Sequence, residues 1–244
     1  MTVIGVRSVA MWTAERGSPK AELLPAAQRR RCSLLTRIVA EVVGELGQRG
    51  LAIADAPLVC GTGYGEIATT AALLEQMHSE EGGLSPIRFA GSVHNTAIGQ
   101  LAIAIGHRGR STTISAGTQT LSMALVEAVG LFADGTDDVT LVLADEPLPQ
   151  PLHPPYDGLA VALHLVRNPG PGDVVLEGPR AREGGAVIAV RVPAAIADNP
   201  CASAFRLAQA IGERRSGLLA LEPDETTDGA PRRTALCVEL RVPS

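Results

Sequence analysis

Short, almost entirely apolar runs constrain the fold of this chain more than any other feature of its sequence. They cover residues 56–61 (APLVCG), 139–144 (VTLVLA) and 159–166 (LAVALHLV). Runs of this length with little polar alternation indicate strands that are covered on both faces. We therefore predict a central sheet with helices packed against both sides.

Segments with apolar residues at helical spacing lie between these strands. They cover residues 26–47, 66–77, 96–106 and 119–133, and two more strands are predicted at 2–12 and 111–116. Pro25 suits the start of the first helix, and Gly47 suits its end. Strands and helices that alternate in this order predict a layered α/β architecture with a largely parallel sheet.

The pattern weakens after residue 146. Residues 147–155 contain five prolines and predict an extended connector, because proline lacks a backbone donor. Beyond the strand at 159–166, we predict strands at 186–192 and 234–242 and an amphipathic helix at 201–214. We divide the chain into a main domain, 1–167, and a short β/α extension, 168–244, packed on the same core.

Composition excludes several classes of function. The 244 residues are 45% hydrophobic and 19% charged, which predicts a globular protein with a sizeable core. The net charge is −5 and the 21 basic residues form no long run, so we expect no nucleic-acid partner. No apolar stretch reaches the roughly 18 residues of a membrane span and no leader pattern opens the chain, so we expect a cytoplasmic protein without a membrane partner.

The four cysteines are Cys32, Cys60, Cys201 and Cys237, and no pair has CxxC spacing. This scatter indicates neither a zinc site nor a redox pair, and we predict buried free thiols. Asp145 and Glu146 follow a buried strand and would suit acid–base or metal chemistry, but no further ligand set is visible in the sequence. We therefore predict a structural role for both, and neither a metal nor a cofactor.

Several linked motifs run from the glycine turn to the end of the strand at 139–144. They are 61–65 (GTGYG), 92–99 (SVHNTAIG), 106–109 (GHRG), 133–135 (ADG) and 139–146 (VTLVLADE). This series resembles the N-terminal half of the β-ketoacyl synthases, members of the thiolase superfamily. The resemblance implies a thiolase-like layered α/β/α fold, truncated to one complete half plus a reduced C-terminal remnant, with 1–167 as the synthase N-terminal-like domain.

The resemblance places Thr118 where an active synthase has its nucleophilic cysteine, or Gly117 if the alignment shifts by one. A threonine hydroxyl without a neighbouring base stays protonated and weakly nucleophilic, although the start of a helix suits the position. An active synthase also takes two histidines from a second half, and no histidine follows His164 here. We therefore expect no condensing activity from this chain alone.

What remains resembles the chain-length-factor subunits of type II polyketide synthases, in particular the short synthase-like proteins of aryl polyene pathways. The resemblance implies a non-catalytic subunit that forms a heterodimer with an active ketosynthase, shapes its acyl tunnel and meets acyl carrier protein only indirectly. The residues expected near the tunnel or the partner interface are Phe89, Val93, His94, Asn95, Thr118, Gln119, Thr120 and Leu121.

Two other functions stay open on the sequence. One is a stand-alone thiolase-fold acyltransferase or thioesterase that uses Thr118 or His94 and needs a base nearby. The other is a homodimer that binds an acyl chain or a carrier protein. His94 is otherwise interpreted as a structural hydrogen-bonding residue, and Asn95 as the cap of the helix that begins at Thr96. The glycine turn at 61–65 lacks dinucleotide-binding spacing, although such a turn offers amides to a phosphate.

Overall fold

Eight strands form one sheet in the part of the chain that the computed structural model describes, residues 2–79, 83–181, 186–222 and 236–243. In chain order the strands are β1 (Val3–Thr13), β2 (Leu58–Gly61), β3 (Ser111–Ile114), β4 (Asp138–Asp145), β5 (Leu159–Val166), β6 (Val174–Ala181), β7 (Gly217–Ala220) and β8 (Leu236–Arg241). Their order across the sheet is β3-β2-β4-β5-β1-β6-β8-β7.

Seven helices accompany the sheet in the same described residues. They are α1 (Ala26–Arg29), α2 (Leu34–Gln48), α3 (Ile67–His78), α4 (Pro86–Ala90), α5 (Thr96–Ile105), α6 (Thr120–Ala133) and α7 (Ala202–Gly212). Short 3-10 turns lie at Ala14–Arg16, Gly117–Gln119 and Ala194–Ile196. None of the described helices has the length and apolar character needed to cross a bilayer.

The helices cover both faces of the sheet, as predicted. On one face, α2 and α5 pack against alternate residues of β4, β5 and β1 in one hydrophobic cluster. On the other face, α6 and α7 pack against the remaining residues of these strands in a second cluster. Every residue of β5 is buried, which explains why its sequence shows so little polar alternation. The architecture is a layered α/β/α arrangement.

The direction of the strands differs from the prediction. β2 runs parallel to β3 and to β4, but the other described pairings of the sheet are antiparallel. A parallel return needs a long crossover connection, usually a helix. The proline-containing connector between β4 and β5 has no helix, so β5 runs back antiparallel to β4. The prediction of a largely parallel sheet was wrong.

Several element boundaries also differ. The predicted helix at 26–47 is interrupted by a turn, after which Ser33 Oγ accepts a hydrogen bond from Thr36 N at 3.0 Å and caps α2. The predicted strand at 186–192 is reduced to one bridge between Val187 and Leu218. The sequence pattern missed α4, β6 and β7, which are short or, in β6, contain a Gly-Pro pair. The predicted last strand appears as β8, and residues 234 and 235 of that prediction lie outside the described part.

The C-terminal segment extends the main sheet. β6 pairs antiparallel with β1, and side chains of β6, α7 and β8 belong to the same hydrophobic cluster as α6. The division into a main domain and an extension packed on the same core, with its boundary at residue 167, stays a prediction.

Candidate functional site

The carboxyl ends of the three parallel strands meet at one edge of the sheet. There β2 leads into the glycine turn at 61–65, β3 leads into the 3-10 turn Gly117–Gln119, and β4 ends at Asp145, followed by Glu146. Ser115 Oγ donates a hydrogen bond to the carbonyl oxygen of Gly63 at 2.8 Å and joins the first two turns. Strand ends of this kind are the usual place for a site in an α/β protein.

Asp145 holds the glycine turn from inside the protein. Its carboxylate accepts hydrogen bonds from Thr62 Oγ1 at 2.9 Å, from Gly63 N at 2.8 Å and from Tyr64 N at 3.0 Å. Gly65 N donates instead to Thr62 Oγ1 at 3.0 Å. The amides that a phosphate would need already have acceptors within the protein. The turn is therefore a structural element built around an internal carboxylate, and the geometry does not favour phosphate binding.

Cys201 lies beside the same carboxylate, at the start of α7. Its thiol donates to Asp145 Oδ2 at 3.2 Å. Burial, followed by the negative charge of Asp145, raises the pKa of the Cys201 thiol well above its ordinary value. A helix N-terminus usually lowers a thiol pKa, but here the adjacent carboxylate and the burial oppose that effect. Cys201 is thus a protonated structural thiol.

The other cysteines also lack the environment of a nucleophile. All four are free, and all but the half-buried Cys32 are buried. Burial raises the pKa of Cys60 to about 12, with further contributions from Asp145 and Glu66. Burial also raises the pKa of Cys32. The prediction of buried free thiols is confirmed for Cys60, Cys201 and Cys237, whereas Cys32 is free but only half-buried.

Glu146 and Glu66 form a second buried acidic region, next to the helices. Glu146 accepts hydrogen bonds from Ala68 N at 3.1 Å and from Leu35 N at 3.4 Å, and Glu66 accepts one from Thr36 Oγ1 at 3.0 Å. Burial raises the pKa of both carboxyl groups, that of Glu146 to about 7. Within the described residues, no group of three or more His, Cys, Asp or Glu side chains is arranged to hold a metal. The contacts support the predicted structural role of Asp145 and Glu146.

Thr118 lies in the 3-10 turn that leads into α6. The side chain is half-buried, and Gly117 before it has a positive φ of 54°. Gln119 Nε2 lies 3.4 Å from Oε1 of the buried Glu222, which brings a carboxylate close to this turn. The expected location at a strand-to-helix turn is therefore present. Whether the residue has the role of a replaced nucleophile stays a prediction.

Thr120 and Leu121, the last two residues of the predicted site, point into the protein. Thr120 Oγ1 donates to the Gly117 carbonyl oxygen at 2.7 Å and accepts from Ala116 N at 3.2 Å, so it closes the turn. Leu121 is fully buried in the hydrophobic cluster under α6. Among residues 118–121, Thr118 and Gln119 are the two that retain exposed surface.

Phe89, Val93, His94 and Asn95 are all exposed. His94 packs against Gly65, where an added Cβ would lie 3.1 Å from His94 Cα. Asn95 occupies the N-cap position of α5, but its side chain makes no capping hydrogen bond. The predicted capping by Asn95 was wrong, because its backbone already has near-helical angles and its side chain faces outward.

The segment that carries these residues exposes more apolar surface than the sequence indicated. We call residues 67–79 and 83–95 the α3–α4 arm. α3 buries only Leu73 among its described residues, and α4 buries none. Ile87 is 85% exposed, Met77 64%, Phe89 62% and Leu74 60%. Of these four residues, only Phe89 was predicted to lie near the interface. The pattern of α3 was a signal for the others, because it has more apolar residues than one buried face requires.

The family and the fold follow from comparison with known proteins. Residues 6–184 match the family model of the β-ketoacyl synthase N-terminal domain. A chain of the Xenorhabdus doucetiae structure of the ketosynthase ApeO in complex with its chain length factor ApeC has a TM-score of 0.71 and 17% identity, and the alignment covers 98% of this chain and 100% of that chain. No curated protein gives a match.

Two longer ketosynthase structures share part of the fold. A β-ketoacyl synthase from Burkholderia phymatum STM815 has a TM-score of 0.53 and 13% identity, with 69% of this chain and 60% of that chain covered. The second is a chain from the complex of a type II polyketide synthase acyl-carrier protein with its ketosynthase bound to the hexaketide. It also has a TM-score of 0.53 and 13% identity, and the alignment covers 68% of this chain and 63% of that chain. The fold is a truncated thiolase-like α/β/α fold, and the chain belongs to the β-ketoacyl synthase family through its N-terminal domain.

Proposed function

We propose that this chain is a non-catalytic, chain-length-factor-like subunit that pairs with an active ketosynthase and shapes its acyl tunnel. The pathway class is polyketide, aryl polyene or fatty-acid-like biosynthesis. The observation that carries the proposal is the exposed apolar surface of the α3–α4 arm, at the edge of the sheet where the glycine turn and Thr118 lie. We expect the complex in the cytoplasm, with acyl carrier protein as an indirect partner.

The α3–α4 arm exposes several large apolar side chains to solvent. Large apolar side chains that are exposed singly are common, but a contiguous group usually marks an interaction site. Ile87 and Phe89 lie on one short helix, and Leu74 and Met77 lie one turn apart on α3, which contacts α4. A protein partner that covers this surface would remove most of it from water. We infer that the arm, which includes Val93, His94 and Asn95, forms the interface.

Among the described residues, no activated thiol lies at the start of a helix, which supports a non-catalytic role. The strand-to-helix turn carries Thr118, and the thiol of Cys201 at another helix start is kept protonated by burial and by Asp145. The chain of the ApeO–ApeC complex that matches is completely covered by this chain, so the two have similar lengths. That complex is described as a ketosynthase with its chain length factor, which supports a ketosynthase as the partner.

Co-expression tests the pairing. We expect a one-to-one complex with the active ketosynthase of the same pathway, measured by affinity capture and light scattering. Ile87→Glu should lower the affinity by about 2 kcal/mol or more, because a charge would be buried at the centre of an apolar contact. Val126→Glu is the matched control, since Val126 is also exposed but lies on α6, across the sheet from α2 and α5.

Product analysis tests the tunnel. With malonyl-loaded carrier protein, the complex that contains Phe89→Trp should release shorter chains, and Phe89→Ala should permit longer ones. A ketosynthase that gives the same chain lengths with and without this protein would contradict the proposal. A larger side chain at Thr118 should also shorten the released chains.

A second candidate is an acyltransferase or thioesterase that uses Thr118. The observation in its favour is the buried Glu222, whose carboxylate accepts from Gln119 beside Thr118. This candidate predicts that the isolated chain cleaves an acyl thioester and that Thr118→Ser retains the activity while Thr118→Ala loses it. An acyl-binding homodimer predicts stoichiometric acyl binding without turnover and a dimer in the absence of a ketosynthase.

A further inference from the structure

Tyr64 is an aromatic residue on the glycine turn, and its side chain is 48% exposed. On one side, Ser115 Oγ donates to the Gly63 carbonyl oxygen at 2.8 Å, which brings the turn that carries Thr118 next to the glycine turn. On the other side, the residue after Tyr64 packs against His94 of the α3–α4 arm. Tyr64 therefore lies between two groups of residues that the proposed function assigns to the tunnel or the interface.

The backbone of Tyr64 is held from inside the protein. Tyr64 N donates to Asp145 Oδ1 at 3.0 Å, and Gly63 N donates to Asp145 Oδ2 at 2.8 Å. Asp145 is 1% exposed, so water does not compete for these hydrogen bonds. Pro200 packs so closely on Gly63 that an added Cβ there would lie 2.5 Å from Pro200 Cβ. The turn cannot move without breaking buried hydrogen bonds or colliding with Pro200.

Phe89, by contrast, lies on a weakly supported segment. It is 62% exposed on α4, a helix of five residues of which none is buried. The neighbouring α3 buries only Leu73 among its described residues. A segment with so few buried contacts moves at a low cost in free energy. A long acyl chain can therefore displace the side chains of the arm more easily than that of Tyr64.

The end of an acyl tunnel selects a chain length only if it is rigid. Each condensation adds two carbon atoms to the growing chain. In a hydrophobic pocket, one additional methylene changes binding by about tenfold or more. This discrimination requires a closely packed wall that does not yield, because a wall that shifts makes room for the extra atoms. A fixed aromatic ring meets this requirement better than a ring on a movable helix.

We propose that Tyr64 forms the fixed end of the acyl tunnel in the complex with the ketosynthase and thereby sets the length of the product. Asp145 and Ser115 are positioning residues, because they hold the turn and do not touch the chain. This inference rests on the proposed function and names the residue that determines its specificity. Phe89 and Thr118 line the tunnel before its end. The ring of Tyr64 stops the chain by its size.

Product analysis of the complex with malonyl-loaded carrier protein, by mass spectrometry, tests the assignment. Tyr64→Ala should lengthen the main product by at least one two-carbon unit, and Tyr64→Trp should shorten it. Tyr64→Phe should leave the length unchanged, since the ring remains. Ile103→Ala is the matched control. Ile103 is also exposed but lies near the end of α5, which leads to the start of β3 at the opposite edge of the sheet. This variant should not change the product.

A substitution behind the turn tests the rigidity. Ser115→Ala removes the hydrogen bond to the Gly63 carbonyl oxygen and leaves the ring of Tyr64 in place. It should increase the share of products that differ in length from the main product, without a shift of the main product itself. A shifted main product with an unchanged spread would contradict the positioning role of Ser115.

Light scattering of each complex separates this inference from the proposed function. If Tyr64→Ala and Tyr64→Trp both form the one-to-one complex and release products of unchanged length, the inference about Tyr64 is refuted and the proposed function stands. The same shift in length with Ile103→Ala would also refute it. If the unmodified chain forms no complex with the ketosynthase, the proposed function is refuted, and the role of Tyr64 with it.

Discussion

The thiol of Cys201 lies 3.2 Å from Oδ2 of Asp145 and joins the start of α7 to the end of β4. Asp145 also accepts the donors of the glycine turn, so one carboxylate connects three segments that are far apart in the sequence. Each donor aimed at this carboxylate would be left unsatisfied inside the protein if the acceptor were lost.

Asp145→Asn should therefore lower the free energy of unfolding by about 3 kcal/mol, because one acceptor oxygen becomes a donor that faces other donors. Urea unfolding followed by circular dichroism measures the change. Asp137→Asn is the control, since Asp137 pairs with Arg167 at the surface and should change the stability by less than about 1 kcal/mol. Equal stabilities of the two variants would contradict the structural role of Asp145.

Gly61 has no room for a side chain at the end of β2. An added Cβ would lie 2.4 Å from Leu143 Cδ1 and 2.8 Å from Thr120 Cγ2. Gly61→Ala should destabilise the protein by about 1–3 kcal/mol through overpacking. Gly130→Ala on α6, where nothing lies within 4 Å, should instead stabilise the helix by up to about 1 kcal/mol. Thermal unfolding should show a lower melting temperature for Gly61→Ala and a higher one for Gly130→Ala, each relative to the unmodified protein.

His164 is buried in β5, with Nε2 3.5 Å from Asp138 Oδ2. Burial lowers its pKa, although Asp138 opposes the shift. The folded protein therefore binds this proton less readily than the unfolded chain, so stability is full above the ordinary histidine pKa and falls as the pH drops below it. His164→Gln should remove this contribution to the loss of stability at low pH, which is at most about 1.4 kcal/mol in the free energy of unfolding per pH unit. If the difference in the free energy of unfolding between the unmodified protein and His164→Gln stays constant from neutral to mildly acidic pH, the effect does not come from His164.

The cysteines should be unreactive in the folded protein. Iodoacetamide at neutral pH should modify Cys32 slowly and leave Cys60, Cys201 and Cys237 unmodified, because they are buried and the thiolate is the reactive form. Peptide mass spectrometry measures the modification, and the protein unfolded in urea, with all four sites modified, is the control. Rapid modification of Cys201 in the folded chain would mean that Asp145 does not keep it protonated.

Local sequence patterns were sufficient for the main elements and insufficient for their pairing. The runs at 139–144 and 159–166 are strands because their burial leaves little room for polar residues. Their antiparallel pairing was missed, since the partner of a strand depends on the path of the connector and not on the strand itself. The helix at 26–47 was predicted as one piece, but its regular apolar spacing begins only at Leu35, after the turn that Ser33 ends.

For this chain, the sequence alone determined the layered α/β/α architecture, the glycine turn and the threonine at the strand-to-helix turn, because these depend on periodicity and on residues near each other in the chain. Only the tertiary structure decided that Asp145 satisfies the turn, that Glu66 and Glu146 share a buried region, and that Ile87 stays exposed on the arm. Burial and the charges around a group come from residues distant in sequence, which no local pattern records.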